Sequence, residues 1–199
     1  MRILAVGGTG TVGKAALSDL RKPHEIITAG RSTGDVKVDV MDEASIEAMF
    51  KALGAVDAVV TTTGHGHFGP VADMTPQQFR KGVEDKLMGQ INVALIAIRH
   101  VKDGGSITIT SGVTNRDFIR KGANAASMNG ALDDFVRAAA IEMPRGIRIN
   151  CVSPGLLEES AVKYDGFFPG HVPVTSARVG IAFTKCVEGA INGQVVTVD

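Results

Sequence analysis

The chain has 199 residues, enough for one domain with a sizeable core, and its 21 basic side chains balance its 21 acidic ones. This balance, without any basic run, argues against nucleic acid or an anionic membrane as a partner. Neither cysteine, Cys151 or Cys186, belongs to a Cys-x-x-Cys pair, so we expect buried thiols and no zinc site. No apolar run is long enough to span a membrane, and the first residues run into glycines, unlike a secretory leader, so we expect a cytoplasmic protein.

Short apolar runs rich in β-branched residues alternate with longer helical patterns along the chain. The alternation predicts a single α/β domain over residues 1–199, with a doubly wound parallel sheet of the Rossmann type. Thr75, Asp42 and Ser176 are the expected N-caps of three helices. The predicted strands span residues 2–7, 25–30, 36–40, 56–63, 106–111, 146–153 and 194–199, and the predicted helices span 12–22, 43–52, 76–101, 123–142 and 177–188.

The connection between the second and third predicted strands is unusually short. Only residues 31–35 separate them, whereas a parallel crossover usually needs a dozen or more residues, often a helix. Either one crossover helix is missing, or the third strand is a short edge strand. We prefer the first interpretation.

A glycine-rich loop follows the first strand, with Gly7, Gly10 and Gly13 spaced three apart before a helix. A tight turn, a bare backbone beside a pyrophosphate and close helix–strand packing all exclude side chains, and the helix N-terminus attracts phosphate. The loop therefore predicts a dinucleotide site. Residues 8–15 nearly match the P-loop of nucleoside triphosphatases, but Ala15 replaces the Ser or Thr that ligates Mg²⁺. The residues expected to contact the cofactor are Gly7, Thr9, Gly10, Thr11, Val12 and Gly13.

The end of the second strand favours NADP(H) over NAD(H). NAD sites normally carry an acidic residue here for the ribose 2′-hydroxyl, whereas this chain has Arg31 followed by Ser32. A guanidinium suits a 2′-phosphate through charge-assisted hydrogen bonds, and Ser32 can add another donor. The other interpretation of Arg31 is an exposed side chain at a turn.

Several segments together resemble the short-chain dehydrogenase/reductase superfamily, in the family's order and over nearly the whole chain. They are the glycine loop, Val38-Asp39-Val40-Met41-Asp42, Ser106–Gly112, Arg148–Gly155 and the closing strand after Gly193. The resemblance implies adenine contacts for Asp39 and Val40, and a catalytic role for Ser111. It also implies contacts near the nicotinamide for Thr63, Gly64, Pro154 and Gly155.

The chain departs from that family at the catalytic acid. Members carry a Tyr and a Lys four residues apart on one helix, where the cation lowers the pKa of the phenol. The matching positions here are Ala125 and Asn129, and the only tyrosine is Tyr164. The helical Asn of the family's proton relay corresponds to Lys86. Candidates for the missing acid are Lys86, Tyr164, His65 and His67.

These features favour an NADP(H)-dependent oxidoreductase that acts on a small carbonyl or alcohol through an atypical site. The alternatives are a non-catalytic NADP(H)-binding redox sensor or regulatory protein and, less favoured, a structural interaction protein. Lys86 at a helix junction is equally compatible with an exposed or acid-paired side chain, and the residues around Tyr164 with a simple apolar lid. The resemblance further implies a homodimer or homotetramer formed through the helices around 87–101 and 124–142.

Overall fold

A computed structural model describes residues 1–20 and 23–199. Seven strands form one parallel sheet in the order β3-β2-β1-β4-β5-β6-β7, which confirms the predicted doubly wound α/β domain. The strands are β1 (Arg2–Val6), β2 (Glu25–Gly30), β3 (Val36–Lys37), β4 (Val56–Thr61), β5 (Val101–Thr110), β6 (Arg148–Pro154) and β7 (Val195–Val198). The helices are α1 (Thr11–Leu20), α2 (Glu43–Leu53), α3 (Pro76–Gly82), α4 (Gly89–Ala97), α5 (Ala123–Ala139) and α6 (Ser176–Glu188).

The sheet buries both of its faces under helices. Leu4 and Val6 of β1 pack into a cluster with α2, α4 and α5, whereas Ile3 and Ala5 pack on the opposite face with α1 and α6. Successive residues of a strand point to opposite faces, so a sheet covered on both sides needs continuous apolar runs. This requirement explains the continuous apolar runs in β1 and in β4.

The helix caps agree with the sequence at two of three positions. The side chain of Asp42 accepts a hydrogen bond from the backbone N–H of Ala44, and Thr75 forms a reciprocal capping box with Gln78. The prediction for Ser176 was wrong, because Thr175 is the N-cap of α6. Two adjacent hydroxyl residues suit this role equally by sequence, and only the backbone decides between them.

The link between β2 and β3 contains no helix, and β3 is a two-residue edge strand, so both interpretations of the sequence hold together. The predicted strand over 36–40 was too long. The chain turns back onto β2 at Asp35, whose backbone N–H donates to the Thr28 carbonyl and whose carboxylate accepts from the Thr28 N–H and hydroxyl. Gly34, at φ 114°, permits this reversal.

The long helix predicted over 76–101 is interrupted and ends early. A π-helical turn, Val83–Met88, lies between α3 and α4, and α4 ends at Ala97 because β5 already begins at Val101. Gly82 and Gly89 flank this turn. A β-carbon on Gly82 would lie 2.8 Å from Asn124 Cγ on α5, so the glycine allows the two helices to meet. Turns of π-helix inside α-helices often occur at functional sites.

Candidate active site

A large cleft opens at the carboxyl ends of the strands, where the strand order reverses between β1 and β4. Its volume is about 760 Å³, and it is lined by residues from the glycine loop, the ends of β2, β4, β5 and β6, and the loop at 156–174. In open α/β sheets ligands bind at this topological switch point. The topology thus places most of the predicted site residues around one cavity.

Backbone contacts hold the glycine loop in place and exclude a side chain at Gly13 but not at Gly10. The Gly7 N–H donates to the Ala29 carbonyl over 2.8 Å, and Gly7 adopts φ 81°. A β-carbon on Gly13 would overlap the Gly7 carbonyl oxygen and lie 2.6 Å from Gly8 Cα, so Gly13 serves packing and does not line the cleft. Gly10 does line it, and a β-carbon there would meet nothing nearer than 3.4 Å.

The end of β2 presents Arg31 and Thr33 to the cleft, whereas Ser32 is not among the lining residues. The hydroxyl groups of Thr33 and Thr9 lie 2.7 Å apart, which ties this turn to the glycine loop. The sequence indicated Ser32 because it follows Arg31. Thr33, the residue after Ser32, lines the cavity instead.

The remaining predicted cofactor residues lie around the same cleft, which is lined by Thr9, Thr11, Val12, Asp39, Val40, Thr63, Gly64, Pro154 and Gly155. The Asp39 carboxylate accepts a hydrogen bond from the Met41 N–H, so this side chain also shapes its own turn. Gly64 adopts φ 92°, and a β-carbon there would lie 2.6 Å from the Asp85 carbonyl oxygen. The β4 loop can therefore lie directly against the π-helical turn.

Ser111 and Lys86 meet on one wall of the cleft. Ser111 is 3% exposed at the end of β5, and the Lys86 ammonium nitrogen donates to the Ser111 carbonyl oxygen over 3.0 Å. The neighbouring acid, Asp85, contacts His65 instead. The interpretation of Lys86 as an exposed or acid-paired side chain is therefore wrong.

Enclosure of the Lys86 ammonium changes its acidity. Burial lowers the pKa of Lys86 from 10.5 to about 8, because the enclosed ammonium loses its solvation. At neutral pH the amine is mostly protonated yet gives up its proton far more readily than an exposed lysine. Such a group can serve as a general acid.

The single tyrosine lies in the loop at 156–174, which is fastened at its base by hydrogen bonds between Glu158 and Val174 and between Val174 and Leu156. Tyr164 lines the cleft, and its ring centroid lies 5.6 Å from that of Phe68, which follows β4. The rings of Phe68, Tyr164 and Phe168 come from two different loops and together form one aromatic wall of the cleft.

Ala125 and Asn129, the positions that the resemblance assigns to Tyr and Lys, both line the cleft. The β4 loop occupies the space above Ala125, because a β-carbon on Gly66 would lie 2.9 Å from Ala125 Cβ. Asn129 donates to the Thr114 hydroxyl over 2.8 Å, and its own side-chain oxygen is buried without a partner. Neither position therefore carries an ionisable side chain on this face of α5.

The two histidines that follow β4 differ in position. His65 lines the cleft, but its ring is exposed and lies 3.5 Å from the Asp85 carboxylate. His67 does not line the cleft, and its backbone N–H donates to the side chain of Asn124. In the part of the chain that the structure describes, no three His, Cys, Asp or Glu side chains cluster as metal ligands.

Sequence reasoning missed three polar residues near this site. Thr33 reaches the cleft, Cys151 lies 3.3 Å from the Ser111 hydroxyl oxygen, and Asp133 is buried behind Cys151. A signal for Asp133 was present: positions 125, 129 and 133 repeat every four residues and share one helix face. The contact with Cys151 depends on strand register and had no comparable signal.

A family model described as enoyl-(acyl carrier protein) reductase matches residues 12–172. The chain belongs to the short-chain dehydrogenase/reductase superfamily. A crystal structure of the protein lin1944 from Listeria innocua is 47% identical with a TM-score of 0.97, and the match covers 100% of both chains. A small-chain dehydrogenase solved in complex with NADPH is 26% identical with a TM-score of 0.87, covering 100% of this chain and 96% of the other.

Relatives in this superfamily include fungal reductases. Versicolorin reductase 1 of Aspergillus parasiticus is 35% identical over 72% of this chain and 55% of its own length. Tetrahydroxynaphthalene reductase of Pyricularia oryzae is 31% identical over 88% of this chain and 75% of its own length. The chain spans little more than half the length of several curated relatives, the first of them at 55%.

Short-chain dehydrogenases bind nicotinamide cofactors, and the cleft fits such a group. The glycine loop forms a cradle with Gly10 bare toward the cavity, and the first turn of α1 follows directly at Thr11. The first N–H groups of a helix have no partner within it and favour phosphate. In contrast, Lys14 is exposed and does not line the cleft, which disfavours the P-loop interpretation.

Proposed function

We propose that this chain is an NADP(H)-dependent oxidoreductase that acts on a small carbonyl or alcohol through an atypical proton-transfer site. The observation that carries the proposal is the joint position of Ser111 and Lys86 beside the glycine loop, in one cleft. A hydrogen-bond donor for a carbonyl oxygen and an acidic ammonium are thus available where the nicotinamide of a bound cofactor would lie.

The glycine loop would hold the pyrophosphate of the cofactor, and Asp39 and Val40 would line its adenine. Arg31 and Thr33 are the donors available to a 2′-phosphate. Thr63, Gly64, Pro154 and Gly155 would surround the nicotinamide end. The relative solved with NADPH supports this choice of cofactor. When bound, NADP(H) would supply or accept the hydride.

The protein has two tasks in this reaction, namely to orient the carbonyl and to move one proton. The Ser111 hydroxyl would donate a hydrogen bond to the substrate oxygen and polarise it. The Lys86 ammonium would give its proton to that oxygen as it becomes a hydroxyl, and take a proton in the reverse reaction. Tyr164 is the second candidate donor, on the opposite wall.

The aromatic wall formed by Phe68, Tyr164 and Phe168 supports an apolar substrate body. Relatives named as versicolorin and tetrahydroxynaphthalene reductases point the same way. We therefore propose to test planar aromatic ketones first among small carbonyl compounds.

A second candidate function is a non-catalytic NADP(H)-binding sensor. The packing of Gly66 against Ala125 favours it, because the β4 loop occupies the space above a position that normally carries the catalytic tyrosine. The two functions share the cofactor site and differ only in turnover.

Turnover can be tested with Ser111→Ala, Lys86→Met and Tyr164→Phe, by following NADPH oxidation over a carbonyl panel. Loss of a general acid typically lowers kcat by about 10²–10⁴-fold, so Lys86→Met should fall in this range with NADPH affinity retained. Exposed Lys81 provides the matched control, Lys81→Met. Unchanged turnover in all three variants would remove these residues from the mechanism, and no turnover in the wild type would favour the sensor.

We further propose a cytoplasmic homodimer or homotetramer formed through the helices around 87–101 and 124–142. Leu95 on α4 is 49% exposed and Ile141 beyond α5 is 88% exposed, so apolar side chains remain uncovered in both regions. Most of the apolar stretch 91–98 belongs to the core instead. Within residues 1–20 and 23–199, no helix has the length and apolar character to cross a bilayer. Light scattering after gel filtration measures the oligomeric state directly.

A further inference from the structure

Asp133 is the only charged side chain among the buried residues of the described chain, at 4% exposed. It lies on α5, one turn after Asn129. Its carboxylate accepts hydrogen bonds from Asn115 Nδ2 over 2.6 Å and from the Cys151 thiol over 3.5 Å, and both donors are uncharged. A buried carboxylate is costly unless a positive charge or several donors compensate it. Asp133 therefore requires an explanation that packing does not supply.

Cys151 connects Asp133 to the wall of the active site. Cys151 Sγ lies 3.3 Å from Ser111 Oγ on one side and 3.5 Å from the Asp133 carboxylate on the other. Burial raises the pKa of the Cys151 thiol, so this side chain stays neutral and cannot balance a charge itself. Arg116 and Arg137 line a second cavity with Asp133 but are paired with Asp199 and Asp134. The remaining positive charge in this network is Lys86, bonded to the Ser111 carbonyl.

Other ionisable groups near Lys86 are committed elsewhere or face solvent. Asp85 contacts His65, and Glu84, on the same π-helical turn, is exposed. Asn129 of α5 also faces the cleft and is neutral. The loop at 156–174 contributes Glu159, Lys163 and Tyr164 to the far wall of the cleft. Asp133 is thus the buried acidic group that is linked through Cys151 to the contact between Ser111 and Lys86.

We propose that Asp133 is a positioning residue, which fixes the Ser111 hydroxyl through Cys151 and places a buried negative charge behind the Lys86 ammonium. Only the catalytic use of Lys86 in this proposal rests on the proposed function. The contacts from Asp133 through Cys151 to Ser111 require neither cofactor nor substrate. Replacement of Asp133 by Asn should remove the charge while retaining shape and an acceptor for Asn115.

The test is competitive acetylation of the folded chain with acetic anhydride, with modification of Lys86 measured by mass spectrometry against pH. Only the neutral amine reacts, so the midpoint of the labelling curve reports the pKa of Lys86. In Asp133→Asn the midpoint should move to lower pH, and labelling at neutral pH should rise about threefold or more relative to exposed Lys81. Asp134→Asn is the matched control, because Asp134 is exposed on the same helix and pairs with Arg137.

Cys151→Ala and Cys151→Ser separate the positioning role from the charge. The alanine variant should lower kcat while leaving the Lys86 midpoint nearly unchanged, whereas serine, which retains a bridging group, should restore much of the rate. An unchanged Lys86 midpoint in folded Asp133→Asn would overturn the electrostatic role. If Asp133→Asn fails to fold, Asp133→Glu keeps the negative charge and should leave the Lys86 midpoint near its wild-type value, and a midpoint that moves clearly to lower pH in this folded variant would overturn it instead. Absence of turnover in the wild type would refute the proposed function but leave the labelling result interpretable.

Discussion

The Lys86 ammonium nitrogen lies 3.0 Å from the carbonyl oxygen of Ser111, so the only strongly perturbed lysine of the described chain lies directly beside the predicted catalytic serine. The family places Ser, Tyr and Lys around the reacting oxygen. In this chain a π-helical turn brings a cation to the serine.

The lowered pKa of Lys86 predicts a stability difference that depends on pH. The amine has a pKa of about 8 when folded and 10.5 as its ordinary value, so between these limits the unfolded chain binds more protons. The free energy of unfolding of the wild type, relative to Lys86→Met, should therefore rise with pH across this window, by about 3 kcal/mol. Urea unfolding of both proteins at several pH values measures this difference. A flat difference would show that the ammonium is solvated.

The two glycines of the loop should respond differently to alanine. Gly13→Ala forces a β-carbon into the Gly7 carbonyl and should lower the free energy of unfolding by at least about 2 kcal/mol. Gly10→Ala has space and should leave stability nearly unchanged, but it narrows the cleft and should weaken cofactor binding. Thermal unfolding and cofactor titration distinguish the two effects. Equal stability losses would contradict the packing role of Gly13.

Restoring the family's tyrosine alone should not restore its chemistry. In Ala125→Tyr the ring must displace the loop at Gly66, which should cost about 1–3 kcal/mol of stability without a gain in turnover. Ser127→Tyr, at an exposed position of the same helix, controls for the substitution itself. A stable Ala125→Tyr variant with raised turnover would show that the β4 loop yields easily.

Arg31→Ala should weaken NADPH far more than NADH. Loss of a charge-assisted hydrogen bond costs about 1.5–3 kcal/mol, or roughly 10–150-fold in affinity for NADPH alone. Thr33→Val should give a smaller loss of the same kind. Lys37→Ala, an exposed cation on β3 outside the cleft, should change neither affinity. Equal losses for both cofactors in Arg31→Ala would refute the assignment of a 2′-phosphate site.

The fold could be predicted from sequence because local signals agreed with one another. Continuous apolar strands, the caps at Asp42 and Thr75 and the spacing of the loop glycines all indicate the same parallel sheet. The short link at 31–35 was also visible as an anomaly. Both explanations for this short link hold, because it contains no crossover helix and β3 is a two-residue strand at the edge of the sheet.

The proton-transfer side of the cleft was only partly predictable. The absence of a tyrosine from α5 is plain in the sequence, and the family resemblance placed Lys86 at the relay position. The contact of Lys86 with Ser111 depends on the π-helical turn, which no sequence pattern predicted. It also depends on Gly64, which lets the β4 loop lie against that turn. Likewise, the position of Cys151 between Ser111 and Asp133 depends on the register of β6 against β5.

The most direct test of this account is calorimetric titration of the wild-type chain with NADPH and with NADH, followed by addition of carbonyl compounds to the NADPH complex. We expect tight NADPH binding, much weaker NADH binding, and oxidation of NADPH by at least one aromatic ketone. Failure to bind either cofactor would contradict the central claim that the glycine-loop cleft is a dinucleotide site.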